Sequence, residues 1–231
     1  MWLNDERITD SAISAYQKAL TSACPRHIVI DHLFDATKLN EVVDILQQSQ
    51  AWQTQKHTYS TLYADNTQWQ KTREKSRFVQ RDIWQRQAVG GASSNSCTAR
   101  EFLEFLRGDE FLALLSRIYR VTLTDKNVAD PDINTNYFRL GPEDFVKQHA
   151  DDSPAREVCM LLYLNKNWDS NAGGEITFTG MLEEKIRYAP VFNRCILFDP
   201  ASKGAEHWVQ RLNPAYTCAY RYNVTSWYWT Q

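Results

Sequence analysis

Five short apolar runs, separated by turn-forming residues, occupy the second half of this chain and restrict its architecture more than any other feature. They are Asn136 to Leu140, Glu157 to Leu164, Ile176 to Phe178, Arg194 to Phe198 and Thr217 to Trp229, interrupted by Gly141-Pro142, Asn171-Ala172-Gly173-Gly174 and Pro200. The first half reads differently. Ile8, Ile13, Tyr16 and Leu20 follow a helical period that Cys24-Pro25 closes, and His27 to Phe34 reads as a strand. Leu39, Val42, Val43 and Leu46 share one face of a helix starting near Asp35, and Phe102, Phe105, Leu106, Phe111, Leu112, Leu115 and Ile118 recur at helical intervals. Helices first and then many strands predict a mainly β chain with supporting helices (α+β), an antiparallel sandwich or barrel backed by helices. The expected organisation is a helical extension over residues 1–25 followed by a single domain over 26–231.

With 231 residues and 43% hydrophobic content, the chain has enough apolar material for such a core. A formal net charge of −2 gives no long-range pull toward nucleic acid or a membrane surface. No apolar run approaches the roughly 18 residues that span a bilayer, and the opening Met1-Trp2-Leu3-Asn4 lacks the order of a secretory leader. A cytoplasmic protein with neither nucleic-acid nor membrane partner is expected. The five cysteines are odd in number and form no CxxC pair, which favours reduced core thiols over a disulfide framework or a zinc cluster. Residues 51–99 scatter Trp52, Tyr59, Tyr63, Trp69, Phe78 and Trp84 among polar residues and read as loop with short strands. From Lys71 to Arg86, six cations face two acids. A solvated face is the ordinary reading of such a run, and a rim that attracts an acidic or carboxylate-bearing substrate is the alternative.

The chemistry begins at Phe145-Val-Lys-Gln-His149-Ala150-Asp151. On an extended chain positions i and i+2 project from one face, so His149 and Asp151 can reach one metal ion. Alone the pair is weak, because a histidine beside an acid is often a surface ion pair. His207, where a strand run resumes after Phe198-Asp199-Pro200, adds a second imidazole. Two histidines and a carboxylate with open positions suit Fe(II) oxygen chemistry, and the same set also serves zinc hydrolases. Arg221, inside the aromatic and β-branched run Tyr220 to Trp229, is costly to bury unless a carboxylate meets its fork; an edge-strand arginine facing solvent is the bland alternative.

Four blocks in order resemble the prolyl-hydroxylase branch of the 2-oxoglutarate and Fe(II)-dependent oxygenases. They are Tyr137-Phe-Arg-Leu-Gly141 before His149-Ala-Asp151, Leu162-Tyr163-Leu-Asn165-Lys166-Asn-Trp168-Asp169 before Gly173-Gly174-Glu175, Phe192 to Phe198, and His207-Trp-Val209 leading to Arg221-Tyr222-Asn-Val-Thr225-Ser-Trp227-Tyr228. The resemblance covers roughly residues 130 to 229 and implies a double-stranded β-helix, the jelly-roll, cupin-like core. It implies Fe(II), 2-oxoglutarate and O2, with ascorbate as reductant. By position it implies His149, Asp151 and His207 as iron ligands, and Arg221 and Tyr163 on the distal carboxylate of 2-oxoglutarate. Tyr137 falls near the iron-chelating end, and Leu161, Ile176 and Trp227 fall at pocket walls. The implied partner is a protein or peptide substrate carrying a proline, with a free amino acid or other small metabolite as runner-up and a non-catalytic protein-binding barrel as a reading of another class. The fourteen steps from His207 to Arg221 exceed the family's usual spacing, which predicts a bulge near Arg211 and makes Arg211 the competing anchor.

Overall fold

The computed structural model describes residues 1–86, 95–124, 131–181, 184–217 and 219–230. Helix α1 (Asp10–Ser22) starts where the Thr9 hydroxyl accepts the Ala12 amide, and it buries Ile13 and Leu20. Strand β1 (His27–Asp31) leads into α2 (Ala36–Gln48), capped by the Asp35 carboxylate and buried along the expected stripe of Leu39, Val42, Val43 and Leu46. Next come β2 (Trp52–Thr58), α3 (Asn66–Lys71) and β3 (Arg77–Trp84). A helix pair, α4 (Asn95–Arg107) and α5 (Asp109–Tyr119), turns at Gly108; the short α6 (Pro131–Asn134) then precedes β4 (Thr135–Leu140). The remaining strands are β5 (Phe145–His149), β6 (Arg156–Tyr163), β7 (Ile176–Phe178), β8 (Ile186–Tyr188), β9 (Arg194–Phe198), β10 (His207–Val209) and β11 (Arg221–Trp229).

These strands pair antiparallel in the order β1-β9-β6-β11-β4-β3-β5-β10-β7-β8, with β2 added alongside β3. Strand β3 makes the corner. Its last residues pair with β4 (Ile83 opposite Phe138) and its middle with β5 (Val79 opposite Val146), so the sheet curls over itself into the expected double-stranded β-helix. The convex side of β6, β9 and β11 is covered by α2, α4 and α5, burying Leu39, Phe102, Phe111, Val158, Leu162, Val224 and Tyr228 in one core. Each such side chain contributes about 1.5–3 kcal/mol of transfer free energy. A second apolar cluster, with Leu161, Tyr163, Ile176, Phe178, Ile196 and Phe198, lies within the curl of the sheet.

The stretch after residue 51 is more regular than its texture suggests. Strands β2 and β3 pair continuously from Trp52 opposite Trp84 to His57 opposite Val79. Their inward positions include Gln55, His57 and Arg81, which line a cavity rather than a core. An apolar/polar alternation is therefore missing although the strands are present. The Gly90-Gly91-Ala92 turn signal lies outside the described residues.

Candidate metal centre and co-substrate pocket

His149 ends β5 and His207 begins β10, and the two are direct partners across the ladder, with ring centroids 4.5 Å apart. A register shift between His207 and Val209 puts one extra residue in β5, so both Val146 and His149 line the cavity. Asp151 lies two residues past the strand end. Its Oδ1 is 3.6 Å from His149 Nε2 and its Oδ2 is 3.7 Å from His207 Nε2. One atom from each of the three residues lies within 4.8 Å of the others, a spacing that one metal ion can bridge.

The hydrogen bonds behind these ligands fix their chemical form. A carbonyl can only accept, so His149 Nδ1–H donates to the Lys147 carbonyl at 2.8 Å and His207 Nδ1–H to the Ala205 carbonyl at 3.0 Å. Both Nε2 lone pairs then face Asp151. Burial, and after it the neighbouring His149, pushes His207 down to about 4, so it is neutral at physiological pH, as a ligand must be. Burial alone would raise Asp151, but His149, His207, the Trp227 indole and Arg156 together outweigh it and hold the carboxyl below its ordinary value. Trp227 Nε1–H donates to Asp151 Oδ2 at 3.0 Å, and Arg156 donates to the Asp151 backbone carbonyl, which pins the loop after β5. Trp227 thus orients a candidate ligand as well as lining the wall. Trp227→Phe keeps an aromatic side chain and removes the donor; metal affinity, read by chelator competition, is expected to fall about 10- to 100-fold.

Arg221 opens β11, 1% exposed. Its Nε–H donates to the Gly174 carbonyl at 2.7 Å and its Nη1 to Asn223 Oδ1 at 2.6 Å, while Nη2 is buried without a partner. Among the described residues no carboxylate pairs with it. Its guanidinium carbon lies 4.8 Å from the centre of the Tyr163 ring, and the buried Tyr163 hydroxyl likewise lacks a hydrogen-bond partner. Two buried donors left open beside each other call for an external acceptor, because an unpaired buried donor costs about 1–3 kcal/mol. A carboxylate satisfies both. Gly174 explains the double glycine: at φ +82 it accepts a left-handed backbone, and a Cβ there would lie 3.1 Å from Arg221 Cδ.

The long step to Arg221 is taken up by a loop tied back onto the double-glycine turn. Gly174 N–H donates to the Gln210 carbonyl and Asn213 N–H to the Ala172 carbonyl. Arg211 is exposed on that loop with its guanidinium over the Phe145 ring, and it does not line the cavity.

The cavity encloses about 550 Å³ and is lined by all three candidate metal ligands, Arg221, Leu161, Ile176 and Trp227. Tyr163 sits behind Arg221. Tyr137 is elsewhere, and its expected place at the iron-chelating end is corrected by strand parity. Opposite β11, Leu140, Phe138 and Asn136 pair with Arg221, Asn223 and Thr225 on the concave face, whereas Tyr137 pairs with Val224 on the helix side. There it packs edge-on against Trp84 and donates its hydroxyl to the Ala99 carbonyl at 2.8 Å. Tyr137→Phe is therefore expected to leave the KM for 2-oxoglutarate unchanged and to lower stability by about 1 kcal/mol, measured by denaturant unfolding.

Sequence reading missed the concave partners of Arg221. Asn223 donates to Thr225 Oγ1 at 3.0 Å, and these polar residues at i+2 and i+4 in an apolar strand were a visible sign that this face lines a site. Also unanticipated were Arg81, Gln55 and His57 on β2 and β3. The cation run from Lys71 to Arg86 is not one patch. Lys71, Arg73 and Lys75 are exposed, Arg77 donates to the Trp69 and Thr72 carbonyls at the end of α3, Arg86 donates to the Thr135 carbonyl, and Arg81 enters the cavity.

Comparison with known proteins agrees with this geometry. The family model of the 2OG-Fe(II) oxygenase superfamily matches residues 135–229. No curated protein matches the chain. Among solved structures, a prolyl-4-hydroxylase from Pseudomonas putida is similar at 16% identity, with 94% of this chain and 98% of that one covered and a TM-score of 0.61. A prolyl hydroxylase from Trichoplax adhaerens, solved with a hypoxia inducible factor oxygen degradation domain peptide fragment, is 20% identical over 98% and 96%, with a TM-score of 0.64. A non-haem α-ketoglutarate-dependent epimerase from nogalamycin biosynthesis shares the fold at 9% identity over 96% and 82%, with a TM-score of 0.56. The segment that matches the 2OG-Fe(II) oxygenase superfamily, residues 135–229, is the one that carries the His149, Asp151 and His207 cluster together with Arg221.

Proposed function

We propose that this chain is an Fe(II)- and 2-oxoglutarate-dependent dioxygenase that hydroxylates an amino-acid residue, and that the residue is a proline in a protein or peptide. The observation that carries the reading is the cavity mouth. Tyr59, Leu62 and Tyr63, on the loop after β2, and Ile133, before β4, are all exposed apolar side chains on its lining. Tyr59 stacks on Phe78 and donates its hydroxyl to the Gln148 carbonyl, one residue from His149. An apolar rim tied to the metal strand suits a chain laid across the opening with one ring inserted. The two similar prolyl hydroxylases, one solved with a peptide, support the same reading.

In this scheme His149, Asp151 and His207 hold Fe(II), and Arg221 and Tyr163 hold the distal carboxylate of 2-oxoglutarate. Bound iron and 2-oxoglutarate supply the oxidation: O2 gives one oxygen atom to succinate, with release of CO2, and the other to a substrate C–H bond as hydroxyl. The protein's part is position and exclusion of water. Asn223 and Gly174 hold the Arg221 fork in place, so no reorganisation is needed when the co-substrate arrives. Leu161, Ile176 and Trp227 form the walls. We place the catalytic unit in residues 26–231, with residues 1–25 packed on it through Ile13 and Leu20.

A second reading, hydroxylation of a free amino acid or other small metabolite, has Arg81 in its favour, because that cation faces the cavity with no acid partner among the described residues. The test is aerobic turnover with Fe(II) and 2-oxoglutarate, scored by mass spectrometry for one added oxygen atom. Proline-containing peptides should gain it at proline. Oxygen gained by free L-proline but by no peptide would replace the first reading with the second.

A further inference from the structure

Arg81 projects from the concave face of β3. Its Nε–H donates to Gln55 Oε1 at 3.2 Å and its guanidinium carbon lies 3.4 Å from the centre of the Phe138 ring. These two contacts set the plane of the guanidinium, and among the described residues no hydrogen bond is made by its terminal nitrogens. Among the described residues no carboxylate forms an ion pair with it; the neighbouring Asp82 is taken by Arg139 at 2.9 Å. Burial draws Arg81 down to about 10, Asp151 pulls it back up and Arg221 pushes it further down, so it stands in the field of both the metal ligands and the co-substrate arginine. It remains charged at neutral pH.

One strand pair along, His57 lies opposite Val79 on the same concave face. It is buried, its ring packs against Tyr63 at 5.0 Å and Phe78 at 5.8 Å, and its Nε2 lacks a hydrogen bond. The cavity wall therefore holds a guanidinium with no acid partner among the described residues and an imidazole nitrogen with no hydrogen bond, neither of which the co-substrate reading uses.

Charge balance gives this pair its ligand. In the loaded site a divalent metal and Arg221 are offset by Asp151 and the dianionic co-substrate. Arg156, at the rim, is engaged by the Asp151 carbonyl and stacks on Trp227 and Trp229, and Asp152 there is exposed. Arg81 is the half-buried cation of the cavity wall that, among the described residues, has no carboxylate in an ion pair with it, and a partly desolvated cation without one is disfavoured.

We propose that Arg81, with His57 beside it, is a second anion subsite that receives a carboxylate of the primary substrate, making this enzyme selective for carboxylate-bearing substrates. The inference rests on the dioxygenase reading of the same cavity and deepens it. The carboxylate is either the α-carboxylate of a free amino acid or that of an acidic residue near the target in a peptide.

The test is anaerobic calorimetry on protein loaded with Mn(II) and 2-oxoglutarate. The probes are the free L-amino acids, their carboxamides, and end-blocked proline peptides with Asp or Asn beside the proline. Wild type should bind carboxylate members and discriminate against the matching amides. Arg81→Met should lose about 10- to 100-fold on the carboxylates only, Arg81→Lys should recover part of that, and 2-oxoglutarate affinity should stay within about twofold in both. Preference for free amino acids or for Asp peptides identifies the source of the carboxylate. The subsite is overturned if amides bind as well as acids, if no carboxylate binds, or if Arg81→Met weakens 2-oxoglutarate instead. Failure of 2-oxoglutarate to bind wild type would count against the dioxygenase reading itself, a separate outcome.

Discussion

Replacing Arg221 with methionine is expected to raise the KM for 2-oxoglutarate by about 30- to 1,000-fold, the equivalent of about 2–4 kcal/mol. The size follows from burial. The guanidinium is closed off from solvent, held by Gly174 and Asn223, and its open Nη2 stands beside the open Tyr163 hydroxyl. A carboxylate entering there meets donors already in place, and the loss of one partner leaves the other desolvated and unpaired. Lysine should rescue little, because an ammonium cannot reach Gly174, Asn223 and the ligand in one plane. Steady-state succinate formation against 2-oxoglutarate concentration reads the effect. An unchanged KM in Arg221→Met would remove this residue from the co-substrate site.

Asp151→Asn should lower metal affinity by more than about 100-fold and reduce turnover to background, since ligand-orienting contacts alone are worth about 10- to 100-fold and this change removes the anionic ligand itself. Asparagine keeps the shape, and its carbonyl can still accept the Trp227 indole N–H. The metal-free protein should therefore still fold, with a modest loss of stability at neutral pH, because a carboxyl held below its ordinary value stabilises the fold in its ionised form and the neutral amide gives that up. Metal content after dialysis together with thermal melting separates the two effects. Loss of folding in the metal-free variant would mean that Asp151 is there for the fold.

Much of this arrangement was legible in the sequence because strands write their faces two residues at a time. The step from His149 to Asp151 and the run Arg221, Asn223, Thr225, Trp227 all obey that period, and the structure places them around one cavity. The helical stripes of α2 and α5 were equally plain, since each buries one apolar face. Parity also explains the error at Tyr137. Which face a β4 residue takes is set by its register with β11, and nothing local in Tyr137-Phe138-Arg139 records that register. The strands β2 and β3 were obscured for a different reason: a wall that serves a polar cavity carries Gln55, His57 and Arg81 where a core strand would carry valines. The departure from alternation was itself the mark of the site.

One metal held by His149, Asp151 and His207 and one guanidinium, Arg221, are expected to bind 2-oxoglutarate together. Anaerobic titration of 2-oxoglutarate into the protein with and without Fe(II) tests it most directly. The expected result is tight binding that requires the metal, one co-substrate per chain, and loss of that binding in both Asp151→Asn and Arg221→Met. Binding of equal strength without metal, or undiminished in either variant, would contradict it.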